Sequence, residues 1–170
     1  MEQSERLIES VILAAGGKIT GRIRIQKIFY LLEQMGGGRD FYFSYHHYGP
    51  YSEDLSATIE RAKYFGGNIK EEQNPIDGGF YSVYSLEDNN VQPLDNCGEL
   101  SWDKTKDAVQ KMLKETSVVI ELAATAHWLK YKEREENWEK ELRIRKNSKV
   151  TDDRLNKALA LLSDIGLSVA

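Results

Sequence analysis

The sequence predicts a mainly α-helical fold of the α+β class, and three observations carry that expectation. Apolar residues recur at spacings of three and four in both halves of the chain. Glycine pairs or triplets punctuate those stretches at 16–17, 36–38 and 66–67. One region, 68–86, instead holds two β-prone segments around a dense turn signal.

Leu7, Ile8, Val11, Ile12 and Ala15 mark a first helix that ends at Gly16-Gly17. Thr20 is placed to cap a second, on which Ile25, Ile28, Phe29, Leu31 and Leu32 make a broad apolar face up to Gly36-Gly37-Gly38. Phe41 to Tyr48 is aromatic and polar and reads as an extended segment entering a turn at Gly49-Pro50. Ser52 opens a third helix, with Glu53 and Asp54 at its positive end and Leu55, Ile59, Ala62 and Phe65 on its buried side. Asn68 to Glu72 and Phe80 to Leu86 read as strands of a hairpin joined by Asn74 to Gly79. Three helices followed by a hairpin is the order of a winged helix-turn-helix.

Residues 71–100 hold seven acidic residues and no Lys or Arg, which sets a boundary near 88–100. The expected organisation is a winged-helix-like unit over 1–90, an acidic and polar connection over 91–100, and a helical part over 101–170, packed as one globule. In that last part Ser101 or Asp103 starts a helix through Ala108, Val109, Met112 and Leu113. A longer helix runs from Ser117 to Leu129, its small residues suiting a central position. Charged residues from Lys130 to Glu141 suit a solvated connection or an exposed helix, interrupted by Trp138, which docks, and Thr151 caps a final helix ending at Gly166.

With 170 residues, 41% hydrophobic and 29% charged, the chain has the composition of a globular domain. A net charge of −4 gives no overall field for nucleic acid, so any DNA contact has to be local. Cys97 is the single cysteine, which excludes an intrachain disulfide and a cysteine-based zinc cage. Met1 leads into a charged amphipathic stretch rather than a signal peptide, so a cytoplasmic protein without membrane association is expected.

No motif assigns catalysis. Gly36-Gly37-Gly38 follows a helix and lacks a downstream Lys-Ser or Lys-Thr. His46 and His47 alternate in direction and His127 is distant, so no spaced metal set exists, and one of the paired histidines is expected exposed and the other packed. Cys97 has no basic neighbour to activate it. Glu121, the one acid in an apolar helical run, is read as capping or as pairing with a basic side chain rather than as an acid catalyst. Neither cofactor nor metal is expected.

Two basic clusters stand out, Lys18, Arg22, Arg24 and Lys27, and Arg143, Arg145, Lys146 and Lys149; either can meet phosphates, an acidic protein or solvent. On the third helix Glu53, Asp54 and Glu60 outweigh Arg61 and Lys63, which repels a duplex. The aromatic set Phe41, Tyr42, Phe43, Tyr45, Tyr48 and Tyr51 either seals the small N-terminal core or, half exposed, forms a binding surface.

The strings Ile25-Gln26-Lys27-Ile28-Phe29-Tyr30-Leu31-Leu32 and Tyr48-Gly49-Pro50-Tyr51-Ser52-Glu53-Asp54-Leu55 resemble the Panacea domain of phage-associated and SocA-like antitoxins. The second string, with Ile120 to Thr125 and Lys149 to Gly166, is similar to uncharacterised YwgA-like bacterial proteins. The resemblance implies a bacterial or phage protein that binds another protein, a toxin or a protease component, and implies no catalytic residues. It carries Gln26, Lys27, Tyr30, Tyr48, Gly49 and Pro50 over as matching residues. The residues following Pro50 depart from the usual antitoxin pattern.

The functional expectation is a non-enzymatic protein-binding or regulatory module, with antitoxin-like action as one form. Its partner-binding residues are Gln26, Lys27, Tyr30, Tyr45, Tyr48, Gly49, Pro50 and Tyr51. The alternative is a winged-helix DNA-binding regulator that uses Lys18, Arg22, Arg24 and Lys27 and acts as a homodimer.

Overall fold

The computed structural model describes residues 3–170, and the expectation placed on Met1 lies outside them. Among the described residues the elements run α1 (Gln3–Ala14), β1 (Lys18–Thr20), α2 (Arg22–Gln34), β2 (Ser44–His46), β3 (Gly49–Tyr51), α3 (Glu53–Tyr64), β4 (Ile69–Ile76) and β5 (Gly79–Leu86). They continue with β6 (Asn96–Cys97), β7 (Leu100–Ser101), α4 (Trp102–Leu113), α5 (Ser117–His127), α6 (Trp138–Lys146) and α7 (Asp152–Asp164). A π-helical turn, Trp128–Lys132, extends α5, and a 3-10 turn, Asn147–Lys149, follows α6. None of the helices is long and apolar enough to cross a membrane.

The fold is mainly helical, and its N-terminal half has winged-helix order. Strands β1, β5 and β4 form one antiparallel sheet in that spatial order, with Ile19 opposite Tyr84. The sequence reading missed β1, a strand of three residues. Thr20 belongs to it, opposite Val83, and so does not cap α2; Gly21 does, without a side-chain bond. The wing strands are longer than expected, because Asn74 to Ile76 continue β4 and the turn is only Asp77-Gly78. Pro75 is tolerated because β4 is the sheet edge, where a missing N–H leaves no partner stranded.

Local chemistry starts the helices as expected. Ser52, Ser101 and Thr151 each accept a hydrogen bond from the backbone N–H three residues on, and Thr116 does the same for α5. Phe65, expected on the buried side of α3, lies beyond its last turn and is 84% exposed. The helix ends at Tyr64, so the three-residue spacing from Ala62 no longer returns to the core.

One continuous apolar core runs from Leu7 through Val169. Helix α5 is buried from Val119 to His127 and packs on α2, α6 and α7. The 88–100 segment folds back onto the first half: Leu94 N donates to Ser10 Oγ, and Glu99 N donates to the Gly36 carbonyl. Gly98, in the left-handed region, lets its backbone meet that of Gly36 to Gly38.

Gln26 fixes the start of α3 to α2. Its amide takes the Ser52 N–H at 2.8 Å and donates to the Ser52 carbonyl at 3.0 Å, both buried. Gln26→Leu keeps the volume but strands both backbone groups, so a loss of about 2–4 kcal/mol in unfolding free energy is expected from urea titration. A loss under about 0.5 kcal/mol shows that water or a shifted backbone satisfies Ser52 instead.

Candidate functional site

The residues carried by the family resemblance converge on one joint, where the β2–β3 hairpin is gripped between α2, α5 and α6. The hairpin turn is His47-Tyr48, so Gly49-Pro50 lies in β3 and not in the turn as expected. Tyr45 faces Pro50 across the ladder.

At the centre stands Glu121, 1% exposed. A carboxylate so buried needs cationic partners. Lys146 Nζ lies 3.1 Å from its Oε2 and Lys149 Nζ 3.2 Å from the same atom. The lysines also hold the hairpin. Lys27, 1% exposed, donates from Nζ to the Pro50 carbonyl at 2.6 Å, and Lys146 Nζ donates to the His47 carbonyl at 3.1 Å. Lys149 lies over the Tyr48 ring at 4.8 Å and Arg145 over the Tyr45 ring at 4.8 Å. Arg145 is itself fixed by two 2.7 Å bonds to Glu133 and one of 2.8 Å to Glu141.

Burial lowers the Lys27 ammonium to about 7; the attraction of Glu121 opposes that shift, and repulsion from Lys146 and Lys149 adds to it. Burial lowers Lys146 as well, again opposed by Glu121. Beside the cluster, the Tyr30 hydroxyl and His127 Nδ1 share a 2.9 Å hydrogen bond. Burial pushes that imidazole down to about 4, with Lys132 adding to the effect, so it is neutral at physiological pH. The arrangement clamps two halves of the chain together. Among the described residues no group of three or more His, Cys, Asp or Glu is placed to hold a metal ion.

The joint is an interior one. Gln26, Lys27, Tyr30, Gly49 and Pro50 are buried, Tyr45 and Tyr51 half-buried, and only Tyr48, 45% exposed, presents much surface. For Gln26, Lys27, Tyr30, Gly49 and Pro50 the expected direct contact with a partner is therefore corrected: residues 25–32 of α2 are all enclosed, as are Gly49 and Pro50. His46 and His47 are both exposed, contrary to the expected split, because they sit at the hairpin end. Of the residues expected to meet nucleic acid, one is enclosed and two are engaged within the chain. Lys18 is exposed, Arg22 pairs with Glu71 at 3.2 Å, Arg24 donates to Ser117 Oγ at 3.3 Å, and Lys27 is enclosed.

The aromatic surface lies elsewhere. Tyr64 and Phe65 at the end of α3 are 76% and 84% exposed, and Ile76 and Phe80 at the wing tip 55% and 69%. The exposed side of α3 also carries Glu53, Asp54, Glu60 and Arg61. Sequence reasoning named the charged residues of α3 but missed the exposed Tyr64, Phe65, Ile76 and Phe80, although a hairpin tip with Ile76, Phe80 and Tyr81 has little core to cover and so signals exposure.

No family model matches the chain. It is 28% identical over 157 residues to the uncharacterized protein YwgA of Bacillus subtilis (strain 168), an alignment that covers 91% of this chain and 92% of that protein. The likeness extends across both halves and brings no activity with it.

Gly49 has φ +92°, and a Cβ there would stand 2.5 Å from Thr125 Oγ1, a buried hydroxyl without a hydrogen-bond partner among the described residues. Gly49→Ala is expected to cost about 3 kcal/mol through left-handed strain and this clash, and Thr125→Ala to recover part of it in a double-mutant cycle. Simple additivity of the two losses would sink the contact.

The Lys27 shift has a definite sign. Because its folded value lies below its unfolded one, the folded chain binds fewer protons between pH 7 and about 10, and stability rises with pH across that window. Lys27→Met is expected to flatten most of the rise in urea midpoint between pH 7 and 9.5. An equal rise in the variant assigns the effect to other groups.

Proposed function

We propose that this chain is a non-enzymatic protein-binding or regulatory module that uses a winged-helix scaffold to meet a protein instead of DNA. One observation carries the reading: the face that would touch a duplex is acidic and aromatic. At the N-terminal end of α3, where base contacts are usually made, stand Glu53 and Asp54, both exposed. The wing's one basic residue, Lys70, lies 3.8 Å from Glu72, no Lys or Arg follows it up to Leu86, and the tip presents Ile76 and Phe80. Such a face repels phosphate and offers apolar area to a protein. The resemblance to the Panacea domain makes an antitoxin-like role the specific form of this reading, with a toxin or a protease component as partner and the bacterial cytoplasm as its place.

The topology itself favours a second reading, a DNA-binding regulator acting as a homodimer, because β1, β5 and β4 with α3 are the parts such regulators use. Capture from native lysate separates the two. Tagged wild type is expected to retain a stoichiometric protein through nuclease and high salt, and the exposed-site variant Tyr64→Ser/Phe80→Ser to lose it by tenfold or more. Retention of nucleic acid that disappears at high salt, or unchanged protein capture by the variant, overturns the reading or its surface respectively.

A further inference from the structure

A cleft of about 1120 Å³ opens between the end of α2, the 39–43 segment, the β6–β7 turn and the π-helical turn. Its walls combine the rings of Tyr30, Phe43 and Trp128 with four carboxylates, Glu33, Asp40, Asp54 and Glu99, against two cations, Arg39 and Lys132.

Of these carboxylates Glu33 is half-buried, whereas Asp40, Asp54 and Glu99 are exposed around it. The nearly enclosed Glu71 has Arg22 and Lys63 within 3.2 Å, and Glu121 has Lys146 and Lys149. Among the described residues, none of the four cleft carboxylates has a basic nitrogen within 4.0 Å. Glu33 is half-buried, and its carboxyl is raised to about 7 by burial and by the neighbouring Asp40, more than Lys132 and Arg39 offset. Asp54 is held in place by the Tyr42 N–H at 3.0 Å and belongs at once to the cleft and to the exposed face of α3. The cleft is therefore continuous with the acidic N-terminal end of α3.

We propose that this cleft receives a basic segment of the protein partner, an arginine- or lysine-bearing stretch whose cationic heads meet these carboxylates and whose stems lie along Trp128. The inference rests on the protein-binding reading and names the chemistry of what is bound. Arginine suits the site best, since its planar guanidinium both forks onto carboxylates and stacks on an indole. A bound cation also adds to the partial compensation that Lys132 and Arg39 give Glu33.

The test uses the full chain and an acetylated, amidated penta-arginine peptide, followed by nitrogen-15 chemical shifts. Saturable shifts are expected at the Trp128 indole and at the amides of residues 39–43 and 98. Glu33→Gln/Asp40→Asn is expected to weaken binding about tenfold, whereas Glu139→Gln/Asp153→Asn, which removes as much charge on distant helices, changes it less than about twofold. A penta-glutamate peptide is expected to leave the spectrum unchanged. Should the double variant fold poorly, the exposed Glu99→Gln reads the same site with a smaller loss. Absence of saturation, shifts centred elsewhere, or equal weakening by the distant pair overturns the proposal, the last reducing it to attraction by net charge. A cleft that ignores the peptide while lysate capture still depends on Tyr64 and Phe80 removes this inference alone. A cleft that binds the peptide in a chain that captures only nucleic acid removes the protein-binding reading and leaves the cleft.

Discussion

A carboxylate placed in the middle of an apolar helix has to be answered by positive charge, and Glu121 transmits that requirement to half the molecule. Helix α5 is otherwise Val, Ile, Leu, Ala and Thr through its buried length. Desolvating a lone carboxylate there would cost more than the helix could supply. The chain after α5 therefore turns back through α6 and a 3-10 turn so that Lys146 and Lys149 reach Glu121. Those lysines do not stop there. Lys146 carries on to the His47 carbonyl and Lys149 to the Tyr48 ring, and Lys27 reaches the Pro50 carbonyl from the other side. Three basic side chains around one carboxylate leave donors in excess, and the Pro50 and His47 carbonyls of the hairpin accept them. Because a buried ion pair adds little net stability against a hydrophobic pair, the gain lies in orientation: only one placement of the hairpin satisfies every donor.

This joint explains which features were legible in the sequence. The caps Ser52, Ser101 and Thr151 act within three residues of themselves, and glycine stops are equally local, so the helices could be read from the chain directly. The wing was readable in kind but not in extent, since the tolerance of Pro75 depends on β4 being an edge, which is a property of the sheet. Strand β1 escaped because three residues carry no periodicity, and only Tyr84, far along the chain, turns Ile19 into a strand residue. The site was half visible. Glu121 was recognisably a charge in want of a partner, and Lys27 sits in an equally apolar run, but their proximity depends on α2 packing against α5. The polar letters of Gln26, Lys27 and Tyr30 suggested an outer face, whereas each spends its polar atom on the interior: Ser52, Pro50 and His127.

Charge on α3 works in two directions at once. Glu53 and Asp54 stand at the positive end of the helix dipole, where carboxylates stabilise the helix by a few tenths of a kcal/mol or more. In a winged helix that is also where phosphate and base edges approach, so the residues that favour the helix oppose the duplex. A DNA-binding winged helix resolves the conflict with basic residues on the wing and along the recognition helix. Here the wing offers Ile76, Phe80 and Tyr81 instead, and Arg61 is outnumbered on the exposed side of α3. The two basic residues that point toward the sheet, Arg22 and Lys63, are both held by Glu71, a buried carboxylate of the wing itself. Freeing either would leave Glu71 buried with less compensation, so the wing's own ion pairing holds both cations in place. Asp54 also lines the cleft that holds Glu33, Asp40 and Glu99, so the acidic charge that favours the start of α3 continues beyond the helix.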